Sequence, residues 1–433
     1  MPITSPLAIS FVAVAITSLP FAGEKTEDPF DRFELPGGVR LVVWQVEDAP
    51  KQSTFTFLPV GLATDSSKQA QYAHLLEHMI IRSTDPKTLK TPGISFNGET
   101  TAGALRVESY SEPDQWQKAL DRHLQWMQLP EIDAQVFKRE KGRIQGEEEH
   151  TVTAGYTHKW AQAAWNQVIR HGLSHANVHG DVVNASPEKV LAFAANTFAK
   201  QDQFVIASVG PVEPAKIRDW LATRIKEQTA ENKTKAPSPL KLAQGTKEAT
   251  WDLPAFHHME WRALPNRSPS DRIAGEAVAQ LLNMGLYGNK DLEPGRTLVS
   301  IMVIPEGRFL MFSANVANPE AAKQASAIFQ QLLDTIPTKG RIPLPLALAQ
   351  LKFQAQQVPD PGPMRKQFQR MQQDTSLLEA QLLLTSVMRE WQLGLTFDQI
   401  QSAWEPIDAD WMKAYVEKIA KAGSPSSLLL TPK

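Results

Sequence analysis

His74-Leu75-Leu76-Glu77-His78 decides how this chain is read. On an α-helix, His74 and His78 stand one turn apart, so both imidazoles leave the same face and can grip one cation. Glu77 sits beside that face, close enough to take a proton from a water on such a cation. Leu75, Leu76, Met79 and Ile80 supply the apolar surface that docks the helix on a core. The order His-x-x-Glu-His mirrors the better-known His-Glu-x-x-His metal helix.

Two imidazoles do not complete a site. A structural zinc takes four protein ligands, whereas a catalytic zinc keeps three and leaves a place for water. The chain has no cysteine, so every ligand must be His, Asp or Glu. A helix beginning near Asp133 carries Val136, Phe137, Glu140, Ile144 and Glu147 on one stripe at about 100° per residue. Two carboxylates on a face built for burial need a partner or a metal. Glu147 is therefore read as the third ligand. Glu140 is read as an accessory acid behind the ligands, grouped with Glu77 as a catalytic carboxylate. Glu148 and Glu149 turn off the stripe towards solvent, and His150 reads as a surface residue. The competing reading of the stripe is a surface helix whose Lys138, Arg139, Lys141 and Arg143 pair with its acids.

Composition narrows the class. A length of 433 residues favours two or three domains, and 42% hydrophobic with 21% charged residues gives each a core and excludes intrinsic disorder. Lys and Arg number 45 against 47 Asp and Glu, which leaves no basic footprint for nucleic acid. Glycine-rich phosphate loops and serine nucleophile elbows are not evident. The apolar run Leu7 to Ile16, followed by Leu19-Pro20-Phe21-Ala22-Gly23, reads as an export signal over residues 1–22, although Met1 to Pro6 carries no basic residue. That reading places the mature protein in the periplasm or outside the cell. No later stretch approaches the ~20 apolar residues of a membrane helix.

Strand and helix patterns alternate along both halves, giving an α+β fold. Val39–Trp44, Ser53–Phe57, Leu105–Tyr110 and Phe204–Val209 read as strands, with helices over Asp114–Met127 and Ala134–Glu149. The polar stretch 227–247 reads as a linker. Beyond it, strands at His257–Leu264, Leu298–Pro305 and Arg308–Val316 mix with helices at Ser270–Asn283, Ala321–Leu333, Ser376–Gln392 and Asp408–Ala420. A metal-site domain over 30–226 and a second domain over 248–433 thus share an element order that suggests internal duplication. Each half is expected to be an antiparallel sheet with helices on one face. Two other histidine groups are set aside: His171, His175 and His179 lie in a glycine-broken loop, and His257 and His258 face opposite sides of a strand. Trp160, Trp165 and Trp220 read as core.

On these residues the chain resembles the pitrilysin/insulinase group of zinc peptidases, which includes the mitochondrial processing peptidase subunits. In that family the His-x-x-Glu-His helix is followed by a ligand Glu, with another functional Glu seven residues before it. Here Glu147 lies 69 residues after His78 and seven after Glu140, and Glu140-Lys141-Gly142-Arg143-Ile144-Gln145-Gly146-Glu147 resembles the family's Glu-Arg-x-x-Ile-x-x-Glu. Phe96-Asn97-Gly98-Glu99-Thr100-Thr101 through Tyr110 resembles the segment lining the family's cleft, which implies substrate binding at Asn97. The resemblance implies a clam-like pair of halves, Zn2+ as cofactor and hydrolysis of short or unfolded chains. One departure stands out. The family's Arg and Tyr, which bind substrate and stabilise the oxyanion, have no counterpart between Glu293 and Ser300. Arg296 or Arg308 substitutes, or a homologous partner subunit supplies the pair; the partner is the favoured expectation. The rival function is a zinc-binding scaffold subunit with little catalysis of its own.

Overall fold

The computed structural model describes residues 28–82, 91–127, 132–153, 158–177, 180–225, 240–286, 297–339, 343–356, 377–421 and 425–433. The proposed signal 1–22, most of the linker stretch, His179, Arg296 and the side chains of Glu148, Glu149 and His150 lie outside the described residues.

The first half runs β1 Asp31–Glu34, β2 Arg40–Gln45, β3 Gln52–Leu58, α1 Tyr72–Arg82, β4 Ile94–Thr100, β5 Leu105–Ser111, α2 Trp116–Trp126, α3 Ala134–Thr153 and α4 His158–Trp165. It continues with β6 His175–Ala176, α5 Pro187–Phe198, β7 Val205–Gly210 and α6 Pro214–Ala222. The second half runs β8 Gly245–Trp251, β9 Phe256–Ala263, α7 Pro269–Leu286, β10 Thr297–Ile304, β11 Gly307–Val316, α8 Pro319–Lys339 and α9 Leu344–Gln356. It ends with α10 Leu378–Leu393, α11 Phe397–Ala403, α12 Ala409–Ala420 and β12 Ser426–Pro432. Local chemistry marks the ends. Ser186 accepts from Lys189 N to open α5, Thr396 and Gln399 form a reciprocal capping box on α11, and Gly394 closes α10 with a left-handed φ of 62°.

Two six-stranded sheets result, in the orders β1-β2-β7-β3-β5-β4 and β6-β8-β12-β9-β11-β10. The orders superimpose element on element, and the directions agree except at one outer pair: β2–β7 and β8–β12 are parallel and the next three pairings in each sheet antiparallel, but β1–β2 is antiparallel where β6–β8 is parallel. The sheets are thus mixed where antiparallel sheets were expected. In each case the last strand of its sheet in chain order, β7 or β12, returns to lie parallel to the second, β2 or β8, and parallel neighbours need a long crossover rather than a hairpin.

Each sheet carries its own half's helices on one face. The apolar residues of α1, α2, α3, α5 and α6 close over Leu41, Leu58, Leu105 and Val107, and those of α7, α8, α9 and α12 close over Val299, Leu310 and Phe312. The opposite faces are exchanged. Helix α10 of the second half buries Ala380, Leu383 and Val387 against Phe55, Phe57 and Val205 of the first sheet. Helix α4 of the first half buries Trp160, Ala164 and Trp165 against Trp251, Trp261 and Met311 of the second. Strand β6 then extends the second sheet beside β8, in parallel. The bidentate pair of Arg32 with Glu390, at 2.7 Å, ties the same joint. Among the described residues, no helix is long and apolar enough to cross a membrane.

Candidate metal centre

Helix α1 is buried along nearly its whole length, from Tyr72 to Ile81. Its start is held by Asp65, whose Oδ1 accepts from Ala73 N at 3.2 Å. The chain enters the helix through Gln71 at φ 68°, a left-handed conformation costing a side-chain-bearing residue about 1–2 kcal/mol. Such strain persists only where surrounding packing fixes it.

Strand β4, at the edge of the first sheet, packs across α1. A Cβ on Gly98 would come within 2.5 Å of Ile81 Cδ1 and 2.9 Å of Glu77 Cγ, so only glycine lets strand and helix approach this closely. Two residues on, and on the same strand face, Thr100 Oγ1 donates to Glu77 Oε2 at 2.6 Å. The Glu77 carboxylate is thereby fixed from the edge strand. Thr100 was not singled out from the sequence; its alternation with Gly98 is the signal that would have found it. Asn97 belongs to the opposite phase. Its side chain is exposed and Nδ2 donates to Glu108 Oε1 at 2.9 Å, on the sheet face away from Glu77.

Helix α3 brings both of its acids to α1. Glu147 Oε2 lies 3.4 Å from His74 Nε2 and 3.6 Å from His78 Nε2. The two imidazole rings stand 4.9 Å apart, nearly perpendicular. One donor atom from each of His74, His78 and Glu147 falls within 4.8 Å of the others, a group able to hold a metal ion. The spacing fits zinc: donors about 2.1 Å from the ion at tetrahedral angles lie about 3.4 Å apart. Glu147 is half-exposed, while the histidines are buried, so the open side of the group is the carboxylate's side.

Glu140 lies behind the group of His74, His78 and Glu147 and is fully buried. Its Oε2 accepts from His78 Nδ1 at 3.1 Å and Arg82 Nη1 at 3.0 Å, and its Oε1 accepts from Arg139 Nε at 3.0 Å. Because His78 donates through Nδ1, its Nε2 lone pair is left for the cation, the arrangement by which carboxylates orient metal-binding imidazoles. Burial alone would lower the His78 pKa; hydrogen bonds to Glu140 and Glu147 and the charge of Glu77 outweigh it and push it up to about 9. Burial would raise both carboxylates, yet the imidazoles hold Glu147 far below its ordinary range, and His78 with Arg82 and Arg139 holds Glu140 below it too. Trp160 of α4 sits 5.5 Å from the His74 ring, linking the site to the exchanged core.

The remaining candidates fall elsewhere. Arg308 is buried at the start of β11, where its guanidinium donates to the Gln392 carbonyl. His171 Nε2 bonds to the Asp65 carbonyl at 3.1 Å, and His175 begins β6. His257 and His258 face opposite sides of β9, towards Ser313 and Ser326 respectively.

Residues 43–176 match the family described as Insulinase (Peptidase family M16). No curated protein matches the chain in sequence. Among solved structures, a protease from Helicobacter pylori is similar at 14% identity and a TM-score of 0.65, over 93% of this chain and 99% of that one. A peptidase M16 inactive domain from Pseudomonas fluorescens is similar at 14% and 0.65, over 93% and 98%. The periplasmic protease PqqL from Escherichia coli is similar at 15% and 0.59, over 96% of this chain and 48% of that one. At such identities the likeness is one of fold. The family match takes in the helix of His74 and His78 and α3, and the fold of those structures is shared along nearly the whole length of the chain.

Proposed function

We propose that the chain is a zinc-dependent endopeptidase that cuts peptides or unfolded polypeptides, with His74, His78 and Glu147 as ligands and Glu77 as the general base. The observation that carries this reading is the convergence of three donors from two helices with a further carboxylate, Glu77, buried beside them. When bound, the cation supplies Lewis acidity that makes water a nucleophile near neutral pH. Glu77, oriented by Thr100, takes the proton as water attacks the scissile carbonyl and returns it to the leaving amine. Glu140 works through His78, since its carboxylate is sealed from solvent and bonded to that imidazole. A substrate strand adds to the edge at β4, which puts its backbone alongside Gly98 and Thr100, with Asn97 on the far face.

The oxyanion groups come from a homologous partner subunit. Arg308 is committed to the Gln392 carbonyl, and the chain spans about half of PqqL, a length that leaves room for a second such unit. Export to the periplasm accords with the apolar N-terminal run and with that relative's location. The second reading, a zinc-binding scaffold subunit, is favoured by the same burial of Arg308 and by the fold shared with an inactive domain.

Zinc content and cleavage of a quenched peptide, measured alone and with a homologous subunit, separate the two. Glu77→Gln keeps zinc and lowers turnover by roughly 10²–10⁴, while Glu147→Gln loses zinc. Wild-type turnover by Glu77→Gln would remove the base assignment, and no turnover by the wild-type pair would favour the scaffold.

A further inference from the structure

We propose that Arg82 is a positioning residue of the metal centre: from the last turn of α1 it clamps the Glu140 carboxylate of α3 against His78 Nδ1, and so aims His78 Nε2 at the cation. The inference rests on the zinc-site reading above and deepens it.

Three guanidinium groups surround Glu140, and they are not equivalent. Arg139 and Arg143 stand on α3 with Glu140 itself, and their side chains are about half-exposed, at 51% and 49%. Either can neutralise the carboxylate, but neither can fix α3 against α1. Arg82 follows His78 by one helical turn, so its side chain and the imidazole share a face and reach the same oxygen, Glu140 Oε2, at 3.0 and 3.1 Å. Its place at the C-terminal end of α1 also suits the helix dipole. Two donors from one helix thus meet a single acceptor from the other.

The consequence is geometric. Without Arg82, Oε2 keeps only His78 and the more distant Arg143 Nη1 at 3.6 Å, while Arg139 holds Oε1 at 3.0 Å. The carboxylate then turns about its own χ angles towards the two α3 arginines, and His78 loses the acceptor that fixes its ring. A ring free to flip presents Nε2 to the cation only part of the time.

The test uses the full chain and zinc alone, with the dissociation constant measured by competition against a chromophoric chelator at fixed pH. Arg82→Met is expected to weaken zinc binding by roughly 10–100-fold, the usual effect of losing a partner behind a metal ligand, and Arg82→Lys to fall between it and wild type. Arg143→Met serves as the control and is expected to stay within about twofold of wild type. A purely structural role, joining α1 to α3, would lower the melting temperature of the metal-free chain and leave the zinc constant in place. That result, or an Arg82→Met constant within about twofold of wild type, overturns the proposal while the metal centre stands. Should Arg82→Met not fold, Arg82→Lys decides by the same threshold. Failure of the wild type itself to bind zinc overturns both readings.

Discussion

His78 in the first half and His257 in the second are both buried, with opposite results. His78 in the first half meets carboxylates, and its pKa is pushed up to about 9. His257 in the second half bonds to amide and hydroxyl groups: Nδ1 to Asn315 Oδ1 at 2.7 Å and Nε2 to Ser313 Oγ at 2.8 Å. Burial, reinforced by the neighbouring His158, pushes it down to about 3. His258, bonded to Ser326, is pushed down to about 4 by burial. Desolvation penalises the imidazolium in both places; the partner decides the sign. Anionic partners that favour a proton on His78 also favour a metal cation in its place, and among the described residues the group able to hold one lies in the first half. The corresponding helix of the second half, α7, fills its buried face with Ile273, Ala274, Ala277 and Val278 instead.

The strongest way to break the contrast is to ask whether the halves are separate bodies at all. Trp165 of the first half is fully buried against Trp261 of the second, with ring centroids 5.9 Å apart. Trp165→Ala is expected to destabilise the whole chain by about 3–5 kcal/mol in one calorimetric transition. Two resolved transitions, with only one shifted, would mean that the exchanged helices join the halves without unifying them.

Histidine titration in the metal-free chain, followed by NMR, sharpens the electrostatic side. His78 is expected to lose its proton near pH 9 and His257 to stay neutral down to about pH 3. For His78, whose folded pKa exceeds the unfolded value of about 6.5, the proton stabilises the metal-free fold below about pH 6.5 and that contribution is lost as pH rises through 9. Zinc must displace this proton, so affinity should climb by about tenfold per pH unit across that window. For His257 the folded pKa is depressed, so its contribution is full above about pH 6.5 and is lost as pH falls towards 3. A His78 that titrates near 6.5 would erase the contrast.

The smallest effect concerns the two edge strands. At β10, the Asn283 side chain accepts from Val299 N at 2.9 Å and donates to Val299 O at 2.6 Å, closing the edge of the second sheet to another strand. Asn283→Ala is expected to cost about 1 kcal/mol and to speed amide exchange at Val299. Exchange at the wild-type rate would show that the strand is protected by something else.

Much of this was legible early. The helix from Ala134 and the strands at 53–57, 105–110 and 308–316 followed from periodicity, because a face that is buried must repeat its apolar residues at the period of its backbone. Strand β8 opens at Gly245, inside the stretch that reads as linker, and its exposed first residues, Gly245 to Glu248, give no apolar alternation to detect. The last strand, β12, was missed because Leu428-Leu429-Leu430 is a continuous apolar run, which periodicity cannot assign. Asn97 was placed by resemblance, whereas strand phase turns it to the sheet face opposite Glu77.

The sequence alone determined which side chains stand together, since helical spacing puts His74 with His78 and Glu140 with Glu147 on shared faces whatever those faces meet. Only the tertiary structure decided that the two faces meet each other, that Arg82 and Thr100 complete them, and that α4 and α10 trade sheets. Hydrophobic burial is non-directional: a pattern announces that a face will be covered, and packing alone selects the covering partner.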